Sequence, residues 1–347
     1  MLDSLKNQKK KQKIIWAVDS TQDPGDAENI IKELKIWAKH LNCEVQPVSV
    51  FSNAALAFQV DLAPPWKEKF KVAAQKSLNN YLKQTKAKGF LTPELLFIST
   101  LSSRSMASVL SKYAETKRAM LIFAHTRAMK TWNPFRMGGF AETLAATSRV
   151  PVLLLNPSIQ PSTKIPSILF PTNFTHESKN AMMKLEPLAK AFNSKVIIYN
   201  QVESPSIYLS EVNGIWPAQG ISLESMTRDL EKARLKNANK WSELLQKENI
   251  ENSLLVQRQR KYIGAEIIDV AKKSKTGLIA IASHRGSLAQ AFLGGVVRDV
   301  ILHSKCPVLI FYRPKNVRKH LNNMEQITDQ RYFDRKGKTA QLEVQHN

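Results

Sequence analysis

Residues 277–313 read GLIAIASHRGSLAQAFLGGVVRDVILHSKCPVLIFYR. A strand-sized apolar run leads into a small, polar, glycine-containing segment, then a helical pattern, then a second apolar run that opens at Cys306-Pro307. A fainter copy lies 156 residues earlier, with Gly138-Gly139 under Gly294-Gly295 and Val150-Pro151-Val152-Leu153 under Cys306-Pro307-Val308-Leu309. A strand–loop–helix–strand unit used twice restricts the fold sharply. Strands joined through a helix run parallel, and a parallel sheet needs helices on both faces.

The same alternation fills the rest of the chain. In the first copy strands are expected over residues 14–18, 44–51, 94–99, 120–124 and 152–155, separated by helical patterns at 30–41, 62–88, 106–115 and up to Ala146. In the second they are expected over 168–170, 195–201, 253–258, 277–282 and 308–311, with helices at 177–192, 220–247, 264–273 and 294–303. Asp26 stands where it can cap the first helix, and Met226, Leu230 and Leu235 of the longest one read as core. The fold class is α/β: two tandem doubly wound domains, each a mostly five-stranded parallel sheet with helices on both faces. The boundaries follow the composition. Residues 1–12 are a basic N-terminus, 13–157 the first domain, 158–164 a linker, 165–313 the second domain, and 314–347 a basic tail.

At 347 residues and 43% hydrophobic composition the chain can fill more than one core. Its longest apolar runs, such as Leu278–Ala282, fall far short of the roughly 20 residues of a bilayer span. No apolar signal core follows the N-terminal lysines, so a cytoplasmic protein is expected. Cys43 and Cys306, the two cysteines, lack metal-ligand spacing and read as small buried residues of a reducing compartment. The net charge of +22 attracts anions, and much of it sits in the two termini. Nonspecific contact with nucleic acid or anionic membrane follows from that, while motifs for specific nucleic-acid readout are missing.

In an open doubly wound sheet, ligands bind beyond the carboxyl ends of the strands where the strand order reverses. With the first strand central, that crevice lies between the ends of strands one and four. It gathers Asp19, Ser20 and Thr21 with Ala124–Arg127 in the first copy, and Thr172, Asn173 and Phe174 with Ala282, Ser283, His284 and Arg285 in the second. Gly138-Gly139 and Gly294-Gly295 open the following helices, where free N–H groups and the positive helix end favour an anion. A phosphate-bearing ligand fits this pattern. Close helix packing would use the same glycines.

These residues resemble a known family. Ser283-His284, Leu293-Gly294-Gly295-Val296, Asp299-Val300-Ile301 and Cys306-Pro307-Val308-Leu309 are similar to the C-terminal signature of universal stress protein domains. Pro171-Thr172-Asn173-Phe174-Thr175 resembles that family's Pro-Thr-Asp-Phe-Ser start, and Ala17-Val18-Asp19-Ser20 its Ala-Val-Asp-Gly-Ser variant. The resemblance covers residues 13–157 and 165–313. It implies the adenine-nucleotide alpha-hydrolase-like fold, pairing through the last strand as a dimer or internal pseudo-dimer, and a cytoplasmic stress-response role with protein partners.

Nucleotide-binding members of that family carry G-x-x-G, nine residues, then G-[ST], with an acid after strand one. Here Ala282 and Arg285 take the two glycine positions, and only eight residues separate Arg285 from Gly294. Gly295 replaces the hydroxyl residue and Asn173 the acid, while the first copy keeps Asp19 and loses the glycines. No cofactor is fixed by this pattern. If ATP or AMP binds, its expected contacts are Asp19, Thr172, Asn173, Ser283, His284, Arg285, Gly294 and Gly295. Arg285 would either obstruct a phosphate or grip it through a charge-assisted fork.

Catalytic signatures such as Walker A, H-E-x-x-H and G-x-S-x-G do not occur. His125 and His284 share a loop position and read as hydrogen-bonded packing residues. The expectation is a non-enzymatic regulatory module with altered nucleotide motifs. The alternatives are a nucleotide-binding regulator and a protein held on polyanions by its basic termini.

Overall fold

Side chains alternate along every central strand between two hydrophobic clusters, and that alternation builds the layers. In β1 (Lys13–Ala17), Ile14 and Trp16 enter one cluster while Ile15 and Ala17 enter the other. The computed structural model describes residues 11–20, 23–52, 64–98, 100, 102–126, 139–156, 159–203, 223–283 and 294–312. After β1 come α1 (Ala27–His40), β2 (Glu44–Ser52), α2 (Pro64–Gln84), β3 (Glu94–Ile98), α3 (Ser103–Thr116), β4 (Leu121–His125), α4 (Gly139–Thr147) and β5 (Val152–Leu155). The second half repeats the series as β6 (Ser167–Pro171), α5 (His176–Phe192), β7 (Lys195–Val202), α6 (Leu223–Lys247), β8 (Asn252–Arg258), α7 (Ile263–Lys273), β9 (Leu278–Ser283), α8 (Gly295–His303) and β10 (Val308–Tyr312). Helices α1, α2, α5 and α6 cover one face of the sheet. Helices α3, α4, α7 and α8 cover the other. None of the described helices is long and apolar enough to cross a membrane.

Each half forms the expected five-stranded parallel sheet, and the two join edge to edge into one. The strand order is β3-β2-β1-β4-β5-β10-β9-β6-β7-β8, parallel throughout except where β5 meets β10. There Val308, Leu309 and Ile310 run antiparallel to Leu154, Leu153 and Val152. The physical reason is edge protection: two short, wholly apolar edge strands satisfy each other's backbone groups and bury each other's side chains. On one face His40 of α1 stacks on Phe192 of α5 with centroids 4.4 Å apart, and Trp37 lies 4.9 Å from the same ring. On the other face Arg298 of α8 approaches Glu142 of α4 at 4.0 Å. Burial raises the Glu142 carboxyl above its ordinary range, and the arginine only partly offsets that.

One local expectation lies outside the described side chains and another is corrected. Asp23 caps the short 3-10 turn Pro24–Asp26 that precedes α1, its carboxylate accepting from Gly25 N at 2.8 Å, while the Asp26 side chain expected to cap α1 lies outside the described residues. Met226, Leu230 and Leu235 are not core: they are 38%, 38% and 46% exposed. Helix α6 has 25 residues, about 37 Å, against about 23 Å for the seven residues of β8 beside it. Its packing face is Ala238, Trp241 and Leu245, so the leading half overhangs the sheet. Arg258 at the end of β8 tethers that overhang, donating to Glu224 at 2.9 and 3.0 Å and to Glu231 at 2.6 and 3.1 Å.

The segment read as a linker is tied down in its described part. Ser162 N–H donates to Glu33 Oε2 at 3.2 Å, and Ile165 is buried at 3% exposure. Glu33 is itself buried and accepts from Trp37 Nε1 at 2.9 Å through its other oxygen.

Candidate functional site

The strand registers place Asp19, Thr172, Asn173 and Ser283 at the carboxyl end of the sheet. β1 pairs with β4, with Trp16 opposite Phe123, so the register carried forward brings Asp19 level with Thr126 just beyond the strand ends. β6 pairs with β9, Leu169 opposite Ile279, which brings Asn173 level with Ser283. Asp19 is half-buried, while Ser283 is buried as the last residue of β9. His284 and Arg285 lie outside the described residues, as do Thr21, Gly138 and Arg127.

The β6–α5 turn is closed on itself. Thr172, buried, accepts from Phe174 N at 3.0 Å through its hydroxyl, and its carbonyl accepts from Asn200 Nδ2 at 2.7 Å. Asn173 Oδ1 accepts from Ser178 Oγ at 3.0 Å and from Thr175 N at 3.3 Å. Thr175 caps α5 by accepting from Ser178 N. Phe174 occupies the left-handed region at φ 61°, an unfavourable place for an aromatic residue, and its ring meets Trp241 edge-on at 5.3 Å. The strain is held by this packing. Asn173 therefore serves the turn, an Asx-type role that any short oxygen-bearing side chain fills.

The opening of α8 is different. Gly294 is the N-cap residue, with φ −56° and no side-chain hydrogen bond to the helix. A Cβ there would meet nothing within 4 Å. At Gly295 a Cβ would stand 3.1 Å from the Tyr262 hydroxyl, the far end of a half-exposed side chain. Among the described residues no side chain caps the first N–H groups of α8, the kind of helix start that favours an anion. Tyr262 was not among the sequence candidates, because a single tyrosine before a helix carries no periodic signal. Burial, and then the charge of Asp299, raise its hydroxyl pKa.

Gly264 was also missed, and its role is packing. A Cβ there would lie 3.0 Å from Tyr262 Cε1 and 3.1 Å from Asp299 Cβ, so it lets α7 and α8 approach. Gly264→Ala is expected to cost about 1–2 kcal/mol, crowding of about 1–3 kcal/mol partly offset by helix propensity. Gly294→Ala should stay within about 0.5 kcal/mol of wild type. Urea midpoints of the two variants check this contrast.

In the first half a shallow cleft of about 410 Å³ lies between Ser20 and Pro24 on one side and Ala73, Lys76, Ser77, Asn80, Tyr81 and Gln84 on the other. It opens on the α2 side of the β1 end. Among the described residues no group of three or more His, Cys, Asp or Glu side chains could hold a metal ion. Cys43 is buried, and burial pushes its thiol up to about 11, while burial raises Cys306 as well. Neither is an activated nucleophile.

Residues 164–311 match the model of the universal stress protein family. A universal stress protein of Methanocaldococcus jannaschii is 28% identical over 150 residues, 43% of this chain and 82% of that protein. A universal stress protein from Archaeoglobus fulgidus matches in structure with a TM-score of 0.59 at 15% identity, covering 87% of this chain and 97% of the other. A functionally unknown protein from Pseudomonas aeruginosa PAO1 gives 0.55 at 13% identity, over 90% and 96%. At these identities the structural likeness speaks for the fold.

Proposed function

We propose that this chain, whose residues 164–311 match the universal stress protein family, is a member of that family and a non-enzymatic, cytoplasmic stress-response regulator acting through a protein partner. Residues 13–157 and 165–313 are read as tandem domains of the family, paired as an internal pseudo-dimer. The antiparallel β5–β10 junction supports that pairing.

The observation that carries the reading is the state of Asn173. Nucleotide-binding members of the family carry an acid at this position. Here both acceptor positions of the amide oxygen are spent on Thr175 and Ser178. A nucleotide entering the second crevice would find no free acceptor on that side chain, and breaking the turn would disturb the packing of Phe174 on Trp241. One specific feature favours a second reading, an ATP- or AMP-binding regulator: among the described residues α8 starts at Gly294-Gly295 with no side-chain cap, and a Cβ at Gly294 would meet none of them within 4 Å.

Titration calorimetry of the full-length protein with ATP and AMP separates the two. The first reading expects no binding heat up to millimolar nucleotide. A dissociation constant of high micromolar or tighter would replace it with the second.

A further inference from the structure

Among the helices, the surplus positive charge is concentrated on one layer. Helices α1, α2, α5 and α6 carry sixteen Lys and Arg against nine Asp and Glu, counting residues with described side chains. Helices α3, α4, α7 and α8 carry five against five. The exposed large apolar side chains divide the same way. Among the described residues these are Val72, Met183, Met226, Leu230, Leu235 and Tyr262, and the five aliphatic ones all lie on the basic layer.

The effect is strongest on α1 and α2, whose described cations are seven lysines and no arginine. Helix α2 packs inward through Leu78 and Tyr81. At 100° per residue, Lys69, Val72, Lys76, Asn79 and Lys83 fall within one sector opposite Leu78, and all five are exposed. This stripe is about 21 Å long. Val72 within it is 67% exposed. On α1, Lys35 and Lys39 share the outer face with Lys32, which pairs with Glu28 at 2.6 Å. Lys35, Lys39, Lys76 and Lys83 have no ion-pair partner among the described residues. Lys76 also borders the cleft beside Ser20.

We propose that the outward faces of α1 and α2 dock on an anionic lipid bilayer. Lysines on long stems reach headgroup phosphates as point charges, while an exposed aliphatic side chain between them enters the acyl boundary. Nucleic acid is the poorer fit. Arginine forks read phosphates and base edges, and exposed rings stack on bases. The described surface of α1 and α2 has neither.

The test is cosedimentation of full-length protein with phosphatidylglycerol–phosphatidylcholine vesicles, pure phosphatidylcholine vesicles, and single- and double-stranded DNA in parallel. Binding to the anionic vesicles alone, lost as salt rises, is expected. The combined Lys69→Glu, Lys76→Glu, Lys83→Glu variant should lower vesicle partitioning at least about tenfold. Val72→Ser should lower it about two- to fivefold with the salt slope unchanged. Lys112→Glu with Lys272→Glu and Lys273→Glu, on the other layer, should retain most binding. Wild-type partitioning by the α2 variant would assign the attraction to the termini and overturn the proposal. So would equal loss in both charge-reversed variants, or a preference for DNA over vesicles.

Discussion

Leu309→Asp is expected to yield no soluble folded protein, and Leu309→Ala to lower the stability of both halves together by about 2–5 kcal/mol. Leu309 is 0% exposed in β10 and stands opposite Leu153 of β5, also 0% exposed, across the antiparallel junction. An aspartate would put an unpaired carboxylate into that junction, and burying such a charge costs several kcal/mol even after relaxation. The alanine variant leaves a cavity where residues from both halves meet in one hydrophobic cluster. Urea unfolding followed by circular dichroism and tryptophan fluorescence checks the outcome, since Trp16 and Trp37 report the first half and Trp241 the second. A shared sheet predicts coincident transitions shifted together. Two separated transitions, with only the second moved, would show that the halves fold independently.

Glu33→Ala should cost about 1–3 kcal/mol, because it strands the buried donor Trp37 Nε1 and takes away the acceptor of the part-buried Ser162 N. The loss should reach beyond α1, since Trp37 packs against Phe192 of α5. Burial raises the Glu33 carboxyl above its ordinary value, and the two hydrogen bonds only partly oppose this. The sign follows from linkage. Between the unfolded and the higher folded pKa, the folded state binds more protons, so the contribution of Glu33 to stability falls as pH rises. It is fully present below the unfolded value and lost as pH passes the folded one. The urea midpoint of wild type relative to Glu33→Gln should therefore rise on going from pH 7.5 to 5. A difference independent of pH would contradict this account.

Much of the fold is legible in the sequence because apolar runs and helical periods are local. Val308–Phe311 reads as a strand from its own composition. Nothing in that run names β5 as its neighbour, since pairing across a junction depends on which edges remain uncovered. Glu33 shows the same limit. A carboxylate between helical apolar residues looks like a solvated position until Ser162, 129 residues later, is seen beside it. Met226 and Leu230 were misread because periodicity gives a helix its face but not the length of the sheet beneath it. At the site, the replacement of the acid by Asn173 was visible at once. The capture of its oxygen by Thr175 and Ser178 was not, because it depends on the φ of Phe174 and the packing of Trp241. Tyr262 and Gly264 left no trace, since each acts only through the approach of α7 to α8.

The most direct test of the central claim is to denature freshly purified full-length protein and quantify released adenine nucleotide by mass spectrometry. An altered, nucleotide-independent regulator predicts far less than one nucleotide per chain, unchanged by Asn173→Ala. ATP or AMP released near one per chain, and lost in that variant, would contradict it.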